Sequence, residues 1–178
     1  WLDFFCYTMF VDRDGKFQLG MLSTSAFKPL AASMGPMLKE ESFHLGTGSN
    51  GLRRIIKAGV IPLDMLQRYM NKWVATAHDL FGTDSSTSAH WAYVWGVKGR
   101  WDERKKLDGG IDVDKEVLNE ESRGHYHDEI VKEVEKLNGY LPEDCGVTLF
   151  VPHENFHRDI GAFGGKNCYT NGELFEGT

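Results

Sequence analysis

The chain has 178 residues, 41% of them hydrophobic, which is enough for one folded domain with a core and excludes a disordered chain. Its formal net charge of −6 at pH 7 argues against a nucleic-acid-binding protein, and no apolar run is long enough to cross a membrane. Its three cysteines, Cys6, Cys145 and Cys168, are too few and too far apart for a disulfide framework or a zinc knuckle, which favours a reducing cytoplasm.

The first predicted helix covers residues 1–25. Residues at helical spacing form one stripe along it: Trp1, Phe5, Thr8 or Met9, Asp12, Leu19 and Leu22. Asp12 is therefore expected on the apolar face, where a carboxylate has to be ion-paired, hydrogen-bonded or bound to a metal ion. Arg13 and Lys16 are the nearest possible partners, so an ion pair and a ligand role both remain open for Asp12.

A second helical segment covers residues 27–32 and is expected to be interrupted at Gly35-Pro36, where Pro36 opens a new helix. That helix carries Glu41 and His44, which lie three residues apart and therefore on one face. A carboxylate and an imidazole at this spacing can hold one metal ion, as in four-helix bundles that bind two iron or manganese ions. The simpler alternative is an exposed glutamate beside a half-buried histidine, because so short a motif also arises by chance.

The glycine-rich segment 46–51 is predicted to be a loop or bend rather than a phosphate cradle, because it matches neither phosphate-binding fingerprint. Residues 62–81 are predicted to form an amphipathic helix with a proline at its start and a glycine just after its end. His78, near its carboxyl end, is expected to interact with the helix dipole. The buried stripe of this helix is expected to contain Leu63, Leu66, Met70, Trp73, Val74, Ala77 and Leu80.

A further helix is predicted to follow the capping residues 83–87 and to end at about Arg104. After a polar connection, a charged helix is predicted over residues 113–138, and its charged residues are expected to form a solvated face. His125 and His127 are two residues apart and so point to different faces, and both are expected at the surface. Its apolar residues are spaced for packing on one side: Val117, Leu118, Ile130, Val134 and Leu137. Residues 147–151 are compatible with a short strand.

Residues 153–157 match the motif His-Glu-x-x-His, in which two histidines on a helix bind zinc and the glutamate is the general base of a metalloprotease. His153, Glu154 and His157 would take those roles, and the last two also form a second Glu-x-x-His pair. Pro152 and the glycines after residue 160 leave room for only a short helix, and no third zinc ligand follows at metalloprotease spacing. The zinc metalloprotease therefore stays an alternative rather than the favoured interpretation.

Five blocks of the chain resemble, in the same order, the oxygenase subunits of benzoyl-CoA 2,3-epoxidases. The blocks are YTMFVDRDGKFQL (7–19), FKPLA (27–31), MLKEESFH (37–44), GVKGR (96–100) and VPHENFHRDIG (151–161). These subunits are ferritin-like di-iron proteins related to the catalytic subunits of phenylacetyl-CoA epoxidases. The resemblance implies an all-α fold, with the second half of a ferritin-like di-iron helical bundle over residues 1–104. Residues 105–178 would then be a helical and irregular C-terminal extension of the same domain.

The resemblance also implies a ligand set of Asp12, Glu41 and His44 for two iron ions, with O2 as co-substrate. In the family a further glutamate and a second Glu-x-x-His pair lie upstream of the matching region. We therefore expect the chain to be the C-terminal portion of a longer oxygenase and to be inactive alone. Phe43 stands where these enzymes often carry a second histidine, so no ligand is assigned there, and the family keeps the helix at Gly35-Pro36 continuous.

The activity implied by the resemblance is O2-dependent epoxidation of an aromatic acyl-CoA, benzoyl-CoA to 2,3-epoxybenzoyl-CoA or a close analogue, in aerobic aromatic catabolism. The implied partner is an NADPH-dependent reductase that carries flavin and iron–sulfur groups. Arg53, Arg54 and Lys57 could meet the CoA phosphates, although a solvated helix face is the simpler interpretation. An alternative of another class is a metal-free ferritin-like interaction module, which the sequence encoded upstream of Trp1 would distinguish from an oxygenase.

Overall fold

The structure is a computed structural model that describes residues 1–99 and 117–152. These residues form five α-helices and no strand: α1 (Leu2–Leu22), α2 (Lys28–Ala58), α3 (Leu63–Phe81), α4 (Thr87–Val94) and α5 (Leu118–Asn138). The all-α prediction is confirmed for this part of the chain, whereas the boundary predicted after residue 104 lies outside it. None of the described helices combines the length and the apolar character that crossing a membrane requires.

The first helix, α1, lies at the centre of the described fold, because it packs against α2, α3 and α5. Its core side is buried and consists of Cys6, Met9, Phe10, Phe17 and Met21. The core is completed from the other helices by Leu52, Ile56, Leu66, Met70, Val74, Ala77, Phe81, Tyr126, Ile130, Val134 and Leu137. The Tyr126 hydroxyl donates to the Phe10 carbonyl at 3.1 Å, so the polar end of the largest buried side chain is satisfied.

The long helix α2 runs through Gly35 and Pro36, so the predicted interruption there was wrong. A proline inside a helix removes the N–H donor that would bind the carbonyl four residues earlier, here that of Ala32. All three residues are exposed, so water can satisfy this carbonyl and the helix tolerates the proline.

The segment 46–51 is also helical, and close packing against α1 explains its glycines. A Cβ atom at Gly48 would lie 2.5 Å from the Met9 backbone nitrogen, and one at Gly51 would lie 2.3 Å from the Phe5 ring. The predicted loop was therefore wrong, because these glycines serve helix contact rather than a turn. Since later residues of α2 meet earlier residues of α1, the two helices run antiparallel.

The remaining helices follow the sequence predictions with local differences. The helix over residues 62–81 is confirmed as α3, but Leu80, predicted to be buried, is 55% exposed. The helix predicted to reach about residue 104 ends at Val94, because Gly96 adopts a φ of +63° that an α-helix cannot continue through. In α5 the predicted apolar side is buried except for Val117, which precedes the helix and is 40% exposed.

Residues 147–151 do not form the predicted strand, because side chains rather than a neighbouring strand bind the backbone of this segment. The Asn138 side chain exchanges two hydrogen bonds with the backbone of Leu149, both 2.8 Å long. The Gln67 side chain accepts from the Phe150 amide at 3.0 Å and donates to its carbonyl at 2.8 Å. These bonds attach the segment to α3 and α5.

A histidine pair lies between α3 and α5. His78 is buried, its Nδ1 donates to the Val74 carbonyl at 2.9 Å, and its Nε2 lies 3.3 Å from Nδ1 of His127. The prediction that His127 belongs to the surface was therefore wrong, while His125 is exposed as predicted. Residue spacing within α5 could not indicate this contact, because it depends on the packing of α5 against α3.

Candidate metal centre

The three predicted ligands come together between α1 and α2. Because these helices run antiparallel and meet near their middles, Asp12 of α1 lies opposite the turn of α2 that carries Glu41 and His44. His44 Nδ1 is 3.4 Å from Asp12 Oδ2 and 3.7 Å from Glu41 Oε2. One ligand atom from each side chain lies within 4.8 Å of the other two, which is a spacing that a single metal ion can bridge.

The site is enclosed on the side of α1 and open on the side of α2. The exposed fraction of the side chain is 12% for Asp12, 20% for Glu41 and 53% for His44. An ion held by the three would therefore rest against the protein and keep positions free for further ligands on its outer side.

A cleft of about 850 Å³ lies between the beginning of α1 and α2. Phe43, which precedes His44 in the sequence, lines the cleft and is 77% exposed. The other lining residues include Trp1, Phe5, Gly51, Arg54 and Ile55. The cleft is lined by sequence neighbours of Glu41 and His44 but by none of the three side chains of the cluster itself.

The electrostatics of the cluster favour a bound cation. Burial raises the pKa of Asp12, against the opposing effect of His44. Burial and the nearby charge of Asp12 raise the pKa of Glu41. Within the described residues, the buried Glu41 Oε2 has no hydrogen-bond partner. Two carboxylates and an imidazole are a donor set that iron and manganese accept, so the residues present fit such an ion.

Asp12 does not form the ion pair that the sequence left open. Arg13 Nη1 lies 2.5 Å from Glu129 Oε1, and Lys16 Nζ lies 2.9 Å and 2.6 Å from the two carboxylate oxygens of the same Glu129. Both candidate partners are therefore bound to α5, and the side chain that faces Asp12 is that of His44.

Asp14 is a buried carboxylate that the sequence interpretation missed. It is 2% exposed, and its Oδ1 has no hydrogen-bond partner in the described part of the chain. Burial raises its pKa to about 7, and the charge of Glu41 adds to the effect, while Gln18 and Lys98 oppose it. The predicted stripe placed Asp12 on the core side, whereas Asp12 faces α2 and Asp14 enters the interior.

The other residues that the sequence suggested for ligand binding do not join the cluster of Asp12, Glu41 and His44. Arg53 is half-buried on α2, whereas Arg54 and Lys57 are exposed. The Lys57 ammonium lies 4.9 Å from the centre of the Tyr140 ring, which is a cation–π contact rather than an anion site. The His-Glu-x-x-His motif at 153–157 lies outside the described residues.

Comparison with known proteins shows sequence similarity over most of the chain. The profile of the family described as phenylacetic acid catabolic protein matches residues 1–149. A curated relative, "Benzoyl-CoA oxygenase component B" of Aromatoleum evansii, is 35% identical over 98% of this chain. The chain covers 45% of that relative, so it spans less than half of the relative's length. These two matches show that the chain belongs to the phenylacetic acid catabolic protein family.

Proposed function

We propose that this chain is part of an oxygenase that acts on an aromatic acyl-CoA, and that Asp12, Glu41 and His44 bind iron in it. The observation that carries the proposal is the convergence of these side chains, with ligand atoms within 4.8 Å of one another. A carboxylate on one helix and a Glu-x-x-His pair on the next are half of the ligand set of a di-iron bundle. The other half would approach from the open side of α2.

The relative's name supports the substrate class and the need for partners. It is called component B of a benzoyl-CoA oxygenase, which implies at least one other component. We propose benzoyl-CoA or a close analogue as substrate and its 2,3-epoxide as product. One oxygen atom of O2 would enter the ring and the other would leave as water. The two electrons required would come from NADPH through a flavin- and iron–sulfur-dependent reductase.

The bound iron would supply the activation of O2, and the residues of this chain would supply its binding site. Asp12 and Glu41 would balance the charge of the metal with their carboxylates, and His44 would add a neutral nitrogen ligand. The enclosed side formed by α1 would keep water from the back of the site, whereas the open side would leave positions for further ligands. A metal site with open positions is what O2-dependent iron chemistry needs.

The sequence encoded upstream of Trp1 is the first test. An oxygenase requires a glutamate there, followed about one helix later by a second Glu-x-x-His pair. Substituted residues at these positions would instead support a metal-free interaction module and contradict the proposal.

The second test is an assay of the full encoded protein, loaded anaerobically with ferrous iron and mixed with the reductase, NADPH, O2 and benzoyl-CoA. We expect a thioester product that is heavier by one oxygen atom, formed with consumption of NADPH. Asp12→Ala should abolish this product, while the neighbouring exposed Glu40→Ala should retain it. NADPH oxidation without an oxygenated thioester would contradict the proposed reaction.

A further inference from the structure

Lys16 stands where it could compete with a metal ion for Asp12. It follows Asp12 by four residues on α1, which is the spacing at which opposite charges pair along a helix. In the structure its ammonium instead contacts both carboxylate oxygens of Glu129, at 2.9 Å and 2.6 Å. The local pairing that the sequence of α1 favours is thus replaced by a contact with α5.

Glu129 holds two cations of α1 at once. Besides Lys16, it accepts from Arg13 Nη1 at 2.5 Å, and Arg13 also lies 3.8 Å from Glu133 through Nη2. Arg13 is further fixed by its Nε, which donates to the Met9 carbonyl at 3.3 Å. Burial alone would raise the pKa of Glu129, but Lys16 and Arg13 outweigh it and lower that pKa, so the group stays anionic.

The two cations differ in what they would do without Glu129. Arg13 is 6% exposed and directly follows Asp12, so its side chain leaves α1 in a different direction and keeps a partner in Glu133. Lys16 is 37% exposed, and it has a flexible side chain that can turn within solvent. Asp12 is the carboxylate one helical turn away from it. A lysine bound there would occupy the carboxylate and repel an incoming cation.

We propose that Glu129 is a positioning residue that keeps Lys16 away from Asp12 and so leaves Asp12 available to the metal. This inference rests on the proposed function, because it takes Asp12 as a ligand. It assigns to α5 a role in the metal site although α5 contributes no ligand from the described residues.

The test compares Glu129→Met with the matched control Glu133→Met in the full encoded protein. Methionine is similar in length to glutamate and has no carboxylate oxygen. Both variants remove one carboxylate partner of Arg13, but only the first releases Lys16. A double variant, Glu129→Met with Lys16→Met, removes the released cation as well.

The first measurement is zero-length carbodiimide cross-linking in the absence of metal, read by peptide mass analysis. We expect a Lys16–Glu129 amide in the wild type and in Glu133→Met, and a Lys16–Asp12 amide in Glu129→Met. The second measurement is the affinity for Co²⁺. Glu129→Met should bind it about two- to fivefold more weakly, as expected from the strength of a half-exposed ion pair. The double variant should regain the wild-type affinity.

The remaining outcomes would contradict either the positioning role of Glu129 or the metal site itself. Absence of the Lys16–Asp12 amide in Glu129→Met, or an unchanged Co²⁺ affinity, overturns the positioning role while the metal site stands. Equal weakening in Glu133→Met, or no recovery in the double variant, overturns it too, since loss of α5 packing would then explain the effect. Failure of the wild-type protein to bind Co²⁺ contradicts the proposed metal site, and the positioning role with it.

Discussion

Gly48 of α2 lies directly against the backbone of Met9 of α1, so close that a Cβ atom would stand 2.5 Å from the Met9 nitrogen. This contact brings α1 and α2 near enough for Asp12 to reach the Glu41–His44 turn. The distances among Asp12, Glu41 and His44 therefore depend on a residue that carries no side chain.

Gly48→Ala is expected to force the two helices apart and to lower the free energy of unfolding by about 1–3 kcal/mol. Gly46→Ala is the matched control, because no described atom lies within 4 Å of its Cβ position in the same helix. It should be neutral or stabilising, by up to about 1 kcal/mol, since alanine favours a helix. Urea unfolding of both variants measures the difference. Equal stabilities would show that the contact at Gly48 is not tight.

These glycines also explain which features could be predicted from the sequence. The hydrophobic spacing predicted the helix over residues 62–81 and its core, because both depend on local pattern. The segment 46–51 was misread as a loop, because glycine reports either a turn or a close contact, and the partner that decides between them is distant in sequence. A helix with glycines at intervals of three, such as Gly48 and Gly51, is nevertheless a signal of close packing.

In the candidate site, too, local pattern could be read from the sequence, whereas contacts between distant residues could not. Spacing and resemblance predict Asp12, Glu41 and His44 as ligands, and the structure brings the three side chains together, while the ligand role itself stays a prediction. Asp14 was missed because the predicted stripe was rotated relative to the true core face of α1. Glu129 could not be found at all, since its contact with Lys16 joins residues 113 positions apart and no local pattern records it.

Asp84 caps α5 from the connection between α3 and α4. Its Oδ1 accepts from the Asn119 amide at 3.0 Å and its Oδ2 from the Glu120 amide at 2.8 Å, while the Tyr93 hydroxyl also donates to it. These two amides lie in the first turn of α5, whose own N-cap residue Val117 has no side-chain acceptor.

Asp84→Ala should therefore cost about 1–2 kcal/mol of stability, the usual worth of a helix cap. Hydrogen exchange of the Asn119 and Glu120 amides should accelerate in this variant. Tyr93→Phe is the control, because it removes only the hydroxyl and leaves both amide bonds in place. If the two variants accelerate exchange equally, Asp84 does not act as the cap.

The buried carboxyl of Asp14 should make stability depend on pH. Its pKa is raised from 3.8 to about 7, so between these values the folded protein holds a proton that the unfolded chain has lost. The free energy of unfolding of the wild type should therefore fall as the pH rises from about 4 to about 7. This group can contribute at most about 1.4 kcal/mol per pH unit to the fall.

Asp14→Asn keeps the shape and removes the titration. Its stability relative to the wild type should improve steadily from about pH 4 to pH 7 and stay constant at lower pH, which provides an internal control. Urea unfolding at several pH values, with a chelator present, measures this difference. A difference between the two proteins that does not change with pH would contradict the assignment of the raised pKa to Asp14.

The 178-residue chain by itself should bind ferrous iron weakly. It supplies only the three proposed ligands, and His44 is about half exposed, so water would compete for the remaining positions on the ion. Anaerobic equilibrium dialysis measures the affinity and the number of ions bound. Tight binding of two irons per chain would contradict the view that these residues are half of a site.

Glu40 and Glu41 are adjacent carboxylates that separate a ligand role from a general effect of charge. Glu41 is 20% exposed and lies 3.7 Å from His44 Nδ1, whereas Glu40 is exposed to solvent on the neighbouring face of α2.

Changing either glutamate to glutamine removes one negative charge within the same helical turn. In the full encoded protein, Glu41→Gln should weaken Co²⁺ binding at least about tenfold, since an amide is a poor substitute for a carboxylate ligand. Glu40→Gln should change it little, because an exposed charge is screened by water and salt. If both variants weaken binding to the same extent, the metal responds to the overall charge of α2, and the assignment of Glu41 as a ligand fails.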